Sequence, residues 1–129
     1  MANILIVDDS ADIRLALSAL LEDGGHQVSE AADGPEVMPA LLESRPDVIL
    51  LDVAMPGRDG FEVLKEITAD ERAYDVPVIM VTAKGRPEDL AMARALGARD
   101  FISKPWTDGE VELRVSWVLQ ARARATAAA

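Results

Sequence analysis

At 129 residues the chain is sized for one domain, and a domain of that size buries roughly two-thirds of its unfolded surface, so folding requires no disulfide or structural metal. It has no cysteine, which excludes thiol catalysis, thiolate metal sites and a disulfide framework. The net charge of −10 opposes contact with nucleic acid or anionic lipid, no apolar run approaches the roughly 18 residues of a membrane span, and no basic segment precedes an apolar one at the N-terminus, so a soluble cytoplasmic protein is expected.

Strand and helix patterns alternate along the chain. Asn3-Ile4-Leu5-Ile6-Val7 is apolar on both alternating faces, which predicts a strand buried on both sides, and Asp8-Asp9 ends it. Ser10 is placed to cap a helix reaching about Asp23. Ile13, Leu17, Leu20 and Leu21 are its core stripe, and Gly24-Gly25 its left-handed stop. His26 has no second histidine with which to pair at a metal and is expected to be exposed and inert. Residues 27–31 form a weaker second strand. Gly34-Pro35 opens a helix with Val37, Ala40 and Leu41 inward, and Arg45-Pro46 ends it. Pro39 is expected near the end of the first turn, where its missing N–H costs least.

The stretch Pro46-Asp47-Val48-Ile49-Leu50-Leu51-Asp52 predicts a central buried strand that ends abruptly at a carboxylate, followed by the turn signals Met55-Pro56-Gly57 and Asp59-Gly60. Asp59, with Glu62 three residues on, caps a third helix whose core face is Phe61, Leu64 and Ile67. After a mostly polar connection over 69–76, residues 77–82 predict a fourth strand ending on the Thr82 hydroxyl. Pro87 starts a helix carrying Leu90, Ala93 and Leu96, and Gly97 stops it. Residues 100–103 are a short fifth strand, broken by Lys104-Pro105. Thr107-Asp108-Gly109-Glu110 is a capping box opening the last helix, with Val111, Val115, Val118 and Leu119 as its apolar stripe. Leu113 and Trp117 form a second stripe, expected to pack on the fourth helix; the alternative is a partner surface. Arg114, Arg122 and Arg124 read as a solvated face. A domain over 2–120 is followed by a helix end or linker tail over 121–129, which fits either a free-standing protein or a piece of a longer chain.

Strands alternating with helices predict an α/β fold: a parallel sheet with right-handed crossovers, covered on both faces. Ligands of such sheets bind at the carboxyl ends of the strands. The residues delivered there are Asp8 and Asp9, Asp52, Thr82 and Lys104. Three acids at one edge repel unless a cation joins them, and a hard divalent ion such as Mg2+ takes oxygen ligands of this kind. The ion and Lys104 would neutralise an incoming phosphoryl group, and Asp52, on the central strand, is the candidate nucleophile for an acyl phosphate.

These residues resemble the receiver domains (CheY-like) of bacterial two-component response regulators. The matching features are Asp8-Asp9, Asp52 with Met55-Pro56-Gly57 and Gly60, Thr82-Ala83, and Phe101 three residues before Lys104-Pro105. The resemblance spans about residues 2–120. It implies a flavodoxin-like, doubly wound, five-stranded parallel sheet in the order 2-1-3-4-5 with five helices. It implies phosphorylation of Asp52 by a phosphohistidine on a sensor histidine kinase or histidine phosphotransfer protein, with the chain itself catalysing Mg2+-dependent gain and loss of the group. Asp8 and Asp9 would hold Mg2+, with Asp9, Asp52 and the Ala54 carbonyl as direct ligands. Thr82 and Lys104 would bind phosphoryl oxygens. Phe101 would be the switch aromatic that turns inward with Thr82, and the peptide before Pro105 would be cis. Output would pass through the last-helix face to a downstream protein or an output domain, without direct contact with nucleic acid or membrane. Ala54 and Lys84 match positions that tune the attacking water, and Trp106 stands where the family more often has Phe. Singly, each residue has an ordinary reading as a turn, cap or strand-end residue. The rival functions are a phosphorylation-independent interaction module and an aspartyl-phosphate phosphatase. The second is opposed by Ala54 and Ser10, which stand where such hydrolases set a second acid.

Overall fold

Strands form where the sequence is apolar on both alternating faces, and helices where a short polar residue caps an amphipathic run. In a computed structural model describing residues 2–55, 57–83 and 85–128, the order is β1 (Asn3–Val7), α1 (Ala11–Asp23), β2 (Gln27–Ala31), α2 (Gly34–Ser44), β3 (Val48–Leu51), α3 (Gly60–Ala69), β4 (Val78–Thr82), α4 (Pro87–Ala95), β5 (Asp100–Ser103) and α5 (Glu110–Ala128). All strand pairs are parallel, in the order β2-β1-β3-β4-β5, which is the flavodoxin-like arrangement implied above.

The strand alternation divides the core in two. Leu5, Val7, Ile49, Leu51, Val78 and Met80 point to one side, where they meet buried residues of α2, α3 and α4. Ile4, Ile6, Val48, Leu50, Ile79 and Val81 point to the other, against Leu17 and Leu21 of α1 and Val111, Val115 and Val118 of α5. Each fully buried aliphatic side chain contributes about 1.5–3 kcal/mol relative to exposure, so the two layers carry most of the stability.

The caps follow their local signals. The Ser10 side chain accepts from the Ile13 N–H, and Asp59 from the Glu62 N–H. Asp33, which the sequence reading passed over, caps α2 through the Glu36 N–H. Glu110 accepts from the Thr107 N–H at 3.1 Å, half of the expected box. Gly25, at φ 90°, takes the left-handed position after α1.

Several expectations are corrected. Pro39 lies inside α2, past its first turn; the helix continues because Val37 and Leu41 stay buried while Pro39 faces solvent. His26 is half-buried, and its Nδ1 accepts from the Ala2 N–H at 3.2 Å. Burial and the nearby N-terminus hold its pKa below the usual value. Leu113 and Trp117 do not pack on α4: they are 49% and 53% exposed, because Val111, Val115 and Val118 take the buried stripe of α5. Beyond residue 120, α5 continues as a helix to Ala128, in keeping with the helix-end alternative. Arg122 Nη1 donates to the Asp47 carbonyl at 2.7 Å, tying that part of α5 to the residues just before β3. Arg114 is likewise engaged, with Asp100 and Glu110, rather than freely solvated.

Gly60 opens α3 directly beneath the end of β3. Its N–H donates to the Val53 carbonyl at 2.7 Å, and an added Cβ would run into the Asp52 carbonyl oxygen and the Val53 Cα. Only glycine permits this approach. Gly60→Ala is therefore expected to destabilise the fold by about 1–3 kcal/mol through overpacking. Urea unfolding of the two chains checks this; equal midpoints would mean that the loop after β3 yields without cost.

Candidate functional site

Parallel register brings the candidate residues to one edge. Val7 stands opposite Leu51, so Asp8 and Asp52 leave their strands side by side, and the Asp52 N–H donates to the Val7 carbonyl at 2.9 Å. Thr82 stands opposite Ser103, and the Lys104 N–H donates to the Thr82 carbonyl at 2.9 Å. The long lysine stem then crosses the edge from β5 towards β1. Lys104 Nζ lies 2.6 Å from Asp8 Oδ2 and 3.5 Å from Asp52 Oδ2. The Lys104–Pro105 peptide is cis.

Asp8, Asp9 and Asp52 each present an oxygen within 4.8 Å of the others. Asp8 is 2% exposed and Asp52 5%, whereas Asp9 is exposed. Asp8 is held on both oxygens: Oδ1 accepts from the Ser10 N–H at 2.9 Å, and Oδ2 takes the lysine. Asp52 Oδ1 accepts from the Ala54 N–H at 3.3 Å, and Thr82, buried, also hydrogen-bonds Asp52. Among the described residues the Asp9 carboxylate makes no hydrogen bond or ion pair.

Burial raises the pKa of Asp52 above the usual carboxylate value, and the charge of Asp8 raises it further. Lys104, the Ala54 N–H and Thr82 pull the other way without cancelling the rise. With all groups ionised, three carboxylates against one ammonium leave two negative charges. Such an all-oxygen set, partly open to solvent at Asp9, fits a hard divalent cation that keeps some of its waters. Mg2+ suits the donor chemistry; thiolate- or imidazole-preferring metals do not.

One cavity adjoins this edge, and a second lies against the start of β5. A groove of about 480 Å3 runs past Asp9, Ala54, Met55, Asp59, Phe61 and Arg86. The half-buried Phe101, paired with Met80 across β4 and β5, lines a second of about 220 Å3 with Leu90, Ala93 and Arg114. Ala54 is exposed beside the groove, and neither it nor Ser10 brings a further acid to Asp52 or Asp8. Lys84 lies outside the described residues, as does Pro56.

Two contacts were missed from sequence. Arg14 Nη1 donates to the carbonyl of Asp8 at 2.7 Å while its Nε donates to Glu30. The signal available was a lone cation one turn into the helix that follows the acid pair. Asp89, buried on α4 beside the groove, pairs with Arg86.

A family model described as the response regulator receiver domain matches residues 4–116. PilH of Pseudomonas aeruginosa is 42% identical over 105 residues, covering 81% of this chain and 87% of that protein. The phosphate regulon transcriptional regulatory protein PhoB of the same species is 38% identical over 117 residues, 91% of this chain but 51% of PhoB, so the chain spans about half of that relative's length. Among solved structures, chemotaxis protein CheY4 of Vibrio cholerae superposes with a TM-score of 0.86 at 36% identity, covering 92% of this chain and 98% of that one.

The raised pKa of Asp52 has a consequence for stability. A carboxyl whose folded pKa exceeds its unfolded value opposes folding when ionised, and the opposition fades as pH falls through the folded and then the unfolded pKa. In chelator at pH 7, Asp52→Asn is therefore expected to raise Tm by a few degrees, about what 1 kcal/mol is worth in a domain of this size. The gain over wild type is expected to shrink as the buffer is acidified. Calorimetry across pH checks both, and a lower Tm for the variant at neutral pH would contradict the electrostatic assignment.

Proposed function

We propose, from the premise that this chain belongs to the response regulator receiver domain family of two-component signalling, that Asp52 accepts a phosphoryl group from a phosphohistidine on a sensor histidine kinase or histidine phosphotransfer protein. The observation that carries the proposal is the meeting of Asp8, Asp9, Asp52 and Lys104 at one sheet edge. In the reaction an Asp52 carboxylate oxygen bonds to phosphorus as the phosphorus–nitrogen bond of the donor breaks, and the departing imidazole takes up a proton. Attack of water on the acyl phosphate later returns the carboxylate and inorganic phosphate.

Asp8 and Asp9, with Asp52 and the Ala54 carbonyl, would hold Mg2+, with Asp9, Asp52 and that carbonyl as its direct ligands. When bound, the ion supplies charge neutralisation for the phosphoryl oxygens. Lys104, already between two carboxylates, turns its ammonium to a phosphoryl oxygen. Thr82 transfers its hydrogen bond from the Asp52 carboxylate to another phosphoryl oxygen. That shift draws β4 and α4 together and moves Phe101, whose ring adjoins the cavity under α4. A local charge event is thereby converted into a change of surface. The exposed Leu113 and Trp117 on α5 are the proposed contact for a downstream protein or an output domain. Action in the cytoplasm, without direct binding to nucleic acid or membrane, belongs to the same proposal; no helix among the described residues is long and apolar enough to cross a membrane. A domain boundary near residue 120 is likewise proposed, with 121–129 as a helix end or linker tail.

Intact mass after incubation with acetyl phosphate, with and without Mg2+, tests this reading. One phosphoryl group gained only with Mg2+, and not by Asp52→Asn, is the expected outcome. No gain under any condition would favour a phosphorylation-independent interaction module, and turnover of simple phosphate esters would favour a phosphatase.

A further inference from the structure

We infer that Arg14 is a positioning residue for the divalent-ion site: it holds the peptide between Asp8 and Asp9 and thereby sets the affinity of the three carboxylates for Mg2+. The inference rests on the metal reading of those carboxylates. Arg14 is anchored in the first turn of α1, where its N–H donates to the Ser10 carbonyl at 3.0 Å. From there the side chain, 19% exposed, carries its guanidinium back under the loop that leaves β1. Nη1 donates to the Asp8 carbonyl at 2.7 Å, and Nε to Glu30 Oε1 of β2 at 2.9 Å.

The carbonyl oxygen so held belongs to the peptide plane that joins Asp8 to Asp9. Because that plane is rigid, fixing its oxygen fixes the direction in which the Asp9 Cα leaves it. Asp8 has other restraints, since the Ser10 N–H, Lys104 and a bond from its own N–H to the Ala31 carbonyl all hold it. Asp9 has none on its side chain: its carboxylate is exposed and makes no hydrogen bond or ion pair among the described residues. The position of Asp9 is therefore set by backbone alone, and Arg14 grips that backbone. The guanidinium also places a cation behind the acids, and Glu30 fixes its orientation. A lysine would keep the charge but lose the two-pronged grip, because its ammonium is a single point on a flexible stem.

A purely structural tie between β1, α1 and β2 predicts something different. It would lower stability in Arg14 variants and leave the Mg2+ requirement unchanged. The test is a Mg2+ titration of the full chain followed by thermal unfolding, which reads metal affinity without phosphorylation. In Arg14→Ala the Mg2+ concentration needed for a given rise in Tm is expected to increase roughly tenfold, the low end for residues that support metal ligands. Arg14→Lys is expected to fall between wild type and Ala. Should Arg14→Ala fail to fold, Arg14→Lys and Glu30→Gln carry the test, each with a smaller rise. A wild-type chain stabilised by Mg2+, with the same rise in Tm at each Mg2+ concentration in the folded variants, would overturn the inference alone. A wild-type chain with no Mg2+ response would remove the metal reading itself, and this inference with it.

Discussion

The ion cluster of Lys104 with Asp8 and Asp52 is the contact on which the arrangement of the site depends. It joins residues 96 positions apart, from the edge strand β5 to the interior strand β1. An ion pair taken this far out of water contributes little net stability, because the cost of desolvation rivals the Coulombic gain. Its worth lies in geometry. With the lysine in place, two buried carboxylates sit side by side in a protein interior; without it, both would face each other unpaired. Under the proposed function the same cation would receive the incoming phosphoryl group, so the group that makes the resting site tolerable would also serve the reaction.

The rest of the molecule offsets what that edge costs. Burial and the charge of Asp8 both oppose ionisation of Asp52, and Gly60 gives up a side chain so that α3 can begin against the Asp52 backbone. Both conflicts sit at the carboxyl end of β3, whose four residues are all apolar and buried, divided between the two layers. A local violation is tolerated at a functional edge when the body of the fold is consistent at every other level. The proposed switch would use the same division. Thr82 and Phe101 lie on neighbouring paired strands, Phe101 two residues before the Ser103 that faces Thr82. A Thr82 hydroxyl that changed partner at the end of β4 would therefore adjoin the strand that carries the aromatic ring.

Much of this was legible in the residues. The bounds of β1, β2, β3 and β5 coincide with the expected ranges, most plainly at β3, because a strand buried on both faces leaves an apolar run that a polar residue ends. The caps at Ser10 and Asp59 followed from residues three apart. The convergence of Asp8, Asp9, Asp52 and Lys104 was implied by a parallel sheet that sends every strand terminus to the same edge. The contacts of Arg14, Arg114 and Arg122 were not legible, since a long flexible side chain can reach any of several neighbours and only the packed geometry selects one.

By itself, then, the sequence determined the order and type of the elements and which residues stand at their carboxyl ends. Those features rest on interactions between residues a few positions apart: the twofold alternation of strands, the stripe of a helix, the cap that closes its first turn. The tertiary structure alone decided what those residues face. It turned Leu113 and Trp117 to solvent because three valines of α5 already filled the space beneath the helix. It carried α5 on to Ala128, with Arg122 finding the Asp47 carbonyl. It set Arg14 on the peptide between the two acids. Each outcome depends on how one element is rotated and placed against another, and that is fixed by packing of the whole core rather than by any local run of residues.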